Sequence, residues 1–190
     1  MSRIPVIVRP ASPGDVPALR EVWAEVLRRG DEGVQLTDLH EVVSRAATSD
    51  DEQVVVAEYD GRVAGAVYLR ATTLTPLNLE PTVFAVSPHV LAQYRRHGVG
   101  TALMEASVRF AEERGIGQMA SAAAAEWRDA NRFLARLSLV PHAVLRLAPT
   151  AVVRSRLSSV HPRRGRGRAA SVDRVLAARR TRRSERVATG

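Results

Sequence analysis

The stretch Val90-Leu91-Ala92-Gln93-Tyr94-Arg95-Arg96-His97-Gly98-Val99-Gly100-Thr101 decides how this chain is read. It lies between a β-rich run ending near Val90 and a run over residues 98–114 whose apolar residues Leu103, Ala106, Phe110 and Ala111 recur at helical spacing. Glycines at 98 and 100 let backbone come close to a bound group. A helix starting there aims its unpaired N–H groups and the positive end of its dipole outward, so the group should be an anion. Gly115 follows as a C-terminal cap.

On the N-terminal side of this stretch, residues 53–59 and 62–69 are two β-rich runs joined by Asp60-Gly61, a pair that tolerates positive φ at both turn positions and predicts an antiparallel hairpin. Residues 82–90 form a further strand. Its Pro88 has no N–H and must sit at a bulge, a strand end or an unpaired edge. Nearer the start, residues 6–8 read as a short strand and residues 9–15 as a turn-rich run ending in the helix cap Asp15. Val16, Leu19, Trp23, Val26 and Leu27 then form the buried stripe of a first helix, with Trp23 a core residue. A second helix is expected over residues 38–47. On the C-terminal side, residues 116–125 read as a strand, 129–137 as a helix capped by Asp129, and 140–147 as the last strand. This order predicts an α+β fold: a mixed, mostly antiparallel central sheet flanked by helices on both faces.

The chain has 190 residues, 45% of them hydrophobic and 25% charged, enough for one domain with a sizeable core. It holds no apolar run near the roughly 20 residues that span a bilayer, and no signal-like apolar segment at its start, so the expectation is a cytoplasmic protein. With no cysteine, disulfides, a thiolate nucleophile and Cys-based zinc sites are excluded. His40, His142 and His161 have no ligand-like spacing, and no metal is expected.

The net charge of +8 divides unevenly. Residues 1–150 hold 16 arginines against 18 acids, a balance of −2, and residues 151–190 hold 12 arginines against 2 acids, a balance of +10. The expected organisation is therefore a folded domain over 1–150 and an arginine-rich tail over 151–190, disordered or partly helical. Such a tail can draw nucleic acid or an acidic partner by charge alone.

The opening stretch resembles motif A of the GNAT family of N-acetyltransferases, whose arginine and two glycines are matched by Arg95, Gly98 and Gly100. The resemblance implies the acyl-CoA N-acyltransferase fold, acetyl-CoA as co-substrate and transfer of its acetyl group to a primary amine. It also implies that Arg95, Arg96, His97, Gly98, Val99, Gly100 and Thr101 surround the pyrophosphate, and that the preceding strand pairs with the pantetheine amides. Two registers fit that strand. Val86-Ser87-Pro88 puts Phe84, Ala85 and Val86 against pantetheine, and the alternative uses Val90 and Leu91. The first is favoured because Pro88 then ends the strand. Residues 131–139 are similar to the family's later helix-to-strand segment. Arg136 matches it directly, and Asn131 is the candidate for its cofactor-contacting asparagine, whose usual place is taken by Trp127.

Acetyl transfer needs the amine deprotonated and the departing thiolate protonated. Family members often place a proton acceptor four or six residues before the motif A valine. From Val86 these positions are Thr82 and Glu80, which makes Glu80 the better candidate. His89 faces the other way unless a bulge at Pro88 resets the alternation. Glu126, just past the strand over 116–125, is a third candidate, placed to line the substrate channel. The family's tyrosine acid is replaced by Leu134. That loss supports an alternative class, a catalytically weak regulator that binds nucleic acid or a protein partner through the tail.

Overall fold

The apolar runs on either side of the loop assemble into one sheet. The computed structural model describes residues 4–124 and 127–160. Its five strands lie in chain order: β1 (Val6–Pro10), β2 (Glu52–Tyr59), β3 (Arg62–Thr75), β4 (Asn78–Val90) and β5 (Gln118–Ala122). The first four pair antiparallel, whereas β5 joins β4 in parallel. A parallel neighbour needs a crossover, and α3 (Val99–Glu112) supplies it. The other helices are α1 (Val16–Val22), α2 (Glu32–Ala47), α4 (Arg128–Arg136) and α5 (Thr150–Val160). The described residues divide into two units, one ending at Val140 and the other beginning at Pro141. The sheet and the first four helices make up the first unit, and α5 is the described helix of the second.

Alternation along the strands builds two cores. Val55, Val67, Leu69, Val83 and Ala85 pack on one face against Val99, Leu103, Met104 and Phe110 of α3. On the other face Val54, Val56 and Ala66 meet Val16, Leu19 and Val22 of α1 and Leu39, Val43 and Ala46 of α2. Burying each of the larger aliphatic side chains contributes about 1.5–3 kcal/mol, so both helical layers are held to the sheet by transfer from water. The mixed sheet with helices on both faces is the expected α+β arrangement. The Asp60-Gly61 hairpin also forms as expected, with both residues at positive φ, 52° and 69°.

Several boundaries differ from the expectations. The first helix ends at Val22, with Trp23 at its C-cap, and the chain then turns, so Val26 is exposed instead of continuing a stripe. The second helix begins at Glu32, not residue 38, because the Asp31 carboxylate accepts from the Gly33 N–H at 3.1 Å. Strands β3 and β4 run on through residues 70–81 to a tight connection, where Thr75 Oγ1 accepts from the N–H groups of Leu77 and Asn78. Pro88 does not end its strand, since β4 continues to Val90.

The strand expected over residues 140–147 is absent. Val140, Val144, Leu145 and Leu147 are 77%, 76%, 92% and 95% exposed. β-Rich composition does not make a strand without a partner to pair with, and Pro141 brings no ladder donor. Among the described residues, no helix is long and apolar enough to cross a membrane.

Candidate active site

Strands β4 and β5 pair from Thr82 with Gln118 to Val86 with Ala122, where β5 ends while β4 runs on to Val90, and this end of the pairing is the fork. Beyond Val86, the edge of β4 that faces away from β3 has no strand partner among the described residues. The Ser121 hydroxyl donates to the Ala85 carbonyl at 2.9 Å beside the base of this fork. Farther along β4 the rings of His89 and Trp127 lie edge to face with centroids 5.8 Å apart.

The fork begins at a β-bulge. Tyr68 pairs with Val86 and Ala66 with His89, so Ser87 and Pro88 together stand against Val67. This is how a proline sits inside a strand without leaving a ladder bond unmade. Ser87 takes a φ of 48°. Its carbonyl accepts from the Trp23 indole N–H at 2.9 Å. The extra residue also resets the alternation. His89 pairs with Ala66, a member of the α1 and α2 core, whereas Val90 packs into the α3 core. The condition set for His89 is therefore met, and it shares the α1–α2 face with Val86. Burial pushes its imidazole below the ordinary value. Glu25 opposes that shift and Arg95 adds to it.

The loop after β4 passes twice through the left-handed region, at Arg96 (φ 65°) and Gly98 (φ 88°). Gly98 is the N-cap of α3, and no side chain caps that end. The first bond of the helix runs from Ala102 N–H to the Gly98 carbonyl at 3.0 Å, which leaves the amides of Val99, Gly100 and Thr101 without intrahelical partners. Nothing lies within 4 Å of where a Cβ on Gly98 would be, so the space beside this residue at the helix start is open. A Cβ on Gly100 would meet the Phe133 ring at 3.6 Å and Val90 at 3.8 Å, ordinary contacts through which α4 and β4 border the helix start. Open amides, the helix dipole and this free space fit a diphosphate.

The remaining candidates fall in different surroundings. Val99 is buried in the α3 core, so only its backbone faces the loop. The side chains of Arg95, Arg96 and His97 are exposed; Arg95 Nε reaches the Val90 carbonyl at 3.4 Å and His97 Nδ1 the Arg95 carbonyl at 2.9 Å. Ala85 is buried on the α3 side, and Leu91 packs with the α1–α2 core while its N–H donates to Ala64. Asn131 Nδ2 donates to the carbonyls of Ala124 and Trp127, so its amide protons are spent on its own chain. Glu80 accepts from Gln118 Nε2 at 3.1 Å, six residues and therefore about 20 Å of strand from Val86. Leu134 is 7% exposed and fills core volume. Glu126 lies outside the described residues, as does the tail beyond Val160.

Two residues of this neighbourhood escape a reading of pattern alone. A Cβ on Gly65 would lie 2.6 Å from the His89 carbonyl and 3.1 Å from Val99, so this glycine lets α3 and β4 close over β3. An isolated glycine inside an apolar strand run is the available signal for such close approach. Tyr59 ends β2, yet its ring lies 4.7 Å from that of His97 in the loop. A small hollow lined by Val8, Gln53, Ala106 and Phe110 involves neither the fork nor the loop.

The profile of the acetyltransferase (GNAT) family matches residues 18–138, most of the chain and all of the fork and loop. The chain belongs to the GNAT acetyltransferase family. It is accordingly an acetyltransferase, and enzymes of this family draw the acetyl group from acetyl-CoA. Similar solved structures include a transcriptional regulator from Bacillus halodurans, with a TM-score of 0.66 and 20% identity over 76% of this chain and 100% of that one. An aminoglycoside N-acetyltransferase solved with CoA gives 0.64 and 18% over 77% and 95%. Glucosamine-6-phosphate N-acetyltransferase from Arabidopsis thaliana gives 0.62 and 12% over 77% and 99%. At such identities the likeness speaks for the GNAT fold alone. Among curated proteins, none matches this chain.

Proposed function

We propose that this GNAT protein transfers the acetyl group of acetyl-CoA to a primary amine, with the coenzyme entering the β4–β5 fork. The observation that carries this reading is the free edge of β4 past Val86, continuous with the open amides of Val99 to Thr101. In it, pantetheine adds to the β4 edge as a short strand would, from the bulge to Val90, and the loop amides hold the diphosphate. Phe84, Val86 and Leu91 then flank the chain of the coenzyme. Arg95 and Arg96 supply positive charge beside the phosphates.

His89 is the proton acceptor in this reading. The bulge turns it to the α1–α2 face beside the fork, and burial keeps the ring neutral and able to take a proton. The amine nitrogen bonds to the acetyl carbon, the carbon–sulfur bond breaks, His89 takes the amine proton, and the thiolate leaves with a proton from solvent. Glu80 serves this role less well because it lies at the paired end of β4 and β5. Similar structures include acetyltransferases named for aminoglycosides, for glucosamine-6-phosphate and for a ribosomal-protein alanine, which support an amine without selecting one.

Calorimetry with acetyl-CoA tests the reading. Binding by the wild type is expected, together with its near loss in Gly98→Asp, where a carboxylate would stand beside the phosphates. Folded wild-type protein that does not bind at millimolar acetyl-CoA would overturn it.

A second reading rests on the balance of +10 over residues 151–190, to which α5 contributes Arg154 and Arg156. In it the tail attracts nucleic acid or an acidic protein. RNA binding that falls steeply with salt and disappears when residues 151–190 are removed would support it, and binding indifferent to that deletion would refute it.

A further inference from the structure

We infer that Tyr59, at the end of β2, is the positioning residue that holds the diphosphate loop open for the coenzyme, acting through the ring of His97. The inference rests on the coenzyme reading above and names what keeps that site in shape. Arg96 and Gly98 both have positive φ, and His97 stands between them. Glycine takes that conformation freely, but arginine does so at a cost, so the turn at Arg96 persists only where its surroundings over-determine it.

Two contacts do this, and both pass through His97. Its Nδ1 lies 2.9 Å from the Arg95 carbonyl. A carbonyl only accepts, so Nδ1 carries the proton and ties the ring back across Arg96. The same ring lies 4.7 Å from that of Tyr59, tilted by 52°. Tyr59 is itself anchored. It pairs with Val6 on one side and Arg62 on the other, packs against the α3 core and lies 6.1 Å from the Tyr94 ring. The sheet thus extends an aromatic support under the tip of the loop, where Arg95 and Arg96 are exposed, while Leu91 and Tyr94 pack the loop's start against the two cores. In this arrangement His97 works as an internal strut of the loop, and the backbone amides meet the phosphates.

The test is calorimetry with CoA, and displacement by pantetheine, which lacks the diphosphate. Tyr59→Leu and His97→Ala should each weaken CoA binding about tenfold, the scale of one lost aromatic contact. The double variant should bind no more weakly than His97→Ala alone, because Tyr59 acts only through the His97 ring. Tyr59→Phe should bind as the wild type does, and pantetheine affinity should be the same in all. His97 is exposed, so His97→Ala will fold even where Tyr59→Leu does not, and an unchanged CoA affinity in it would overturn the inference. Additive losses in the double variant, or equal losses for CoA and pantetheine, would do so as well. Wild-type protein that fails to bind CoA would instead remove the coenzyme reading beneath it.

Discussion

The Trp23 indole N–H donates to the Ser87 carbonyl over 2.9 Å, joining the end of α1 to the bulge of β4 across 64 residues. Trp23 is 5% exposed, so the bond is made in a nearly dry setting. Trp23→Phe keeps most of the apolar volume but leaves that carbonyl without its donor. The expected loss is about 1–2 kcal/mol, read as a lower urea midpoint with unchanged slope. A midpoint equal to that of the wild type would mean the bulge stands without this bond.

Gly65 tests how closely the elements around the loop are packed. In Gly65→Ala the new methyl meets the His89 carbonyl at 2.6 Å, and that backbone atom cannot swing aside as a flexible side-chain end would. Strand β4 or α3 must shift, at about 2 kcal/mol. Denaturant unfolding measures the cost, and a fully stable alanine variant would contradict the close approach.

His89 makes a pH prediction. Its folded-state value is depressed mainly by burial, so between that value and the ordinary one near 6.5 the unfolded chain binds more protons than the folded one. Stability linked to His89 is therefore intact above about pH 6.5 and is lost as pH falls toward the depressed value. Wild-type unfolding free energy should drop more steeply from pH 7 to pH 5 than that of His89→Gln. Parallel curves would show that the ring titrates as it does in water.

Arg9 and Asp15 set an acid limit elsewhere. Two guanidinium nitrogens reach the two Asp15 oxygens at 2.8 Å each, and Arg9 Nε reaches Glu58 at 2.8 Å. These bonds from Arg9 hold the Asp15 carboxyl well below the usual carboxylate range, against the opposing effect of burial. The stabilisation is present above the unfolded value near 4 and is lost as pH falls below it. Asp15→Asn should cost about 2 kcal/mol at pH 7 and much less near pH 2, checked by urea titration at both.

Features governed by local chemistry were legible from the residues. Asp60-Gly61 specified its turn because both residues accept positive φ, and the glycines at 98 and 100 marked the helix start and its exposed amides. Features that depend on a partner were less so. Whether Pro88 ended β4 or bulged out of it is decided by how β3 runs past it, and the direction of His89 follows from that choice. The support of the loop by Tyr59 is a contact between residues 38 positions apart, which no local spacing announces. Residues 140–147 fail in the opposite sense, since their composition favours a strand that pairing does not supply.

Among the described residues, strand β5 is hydrogen-bonded along one edge only, over five residues, whereas β4 is braced by β3 along its length. The two strands that meet at the base of the fork therefore differ in stiffness, and whatever widening a bulky guest demands falls on the softer one. Amide protons of residues 118–122 should exchange with deuterium faster than those of residues 82–86, and a tightly held guest should slow the softer strand more than the braced one.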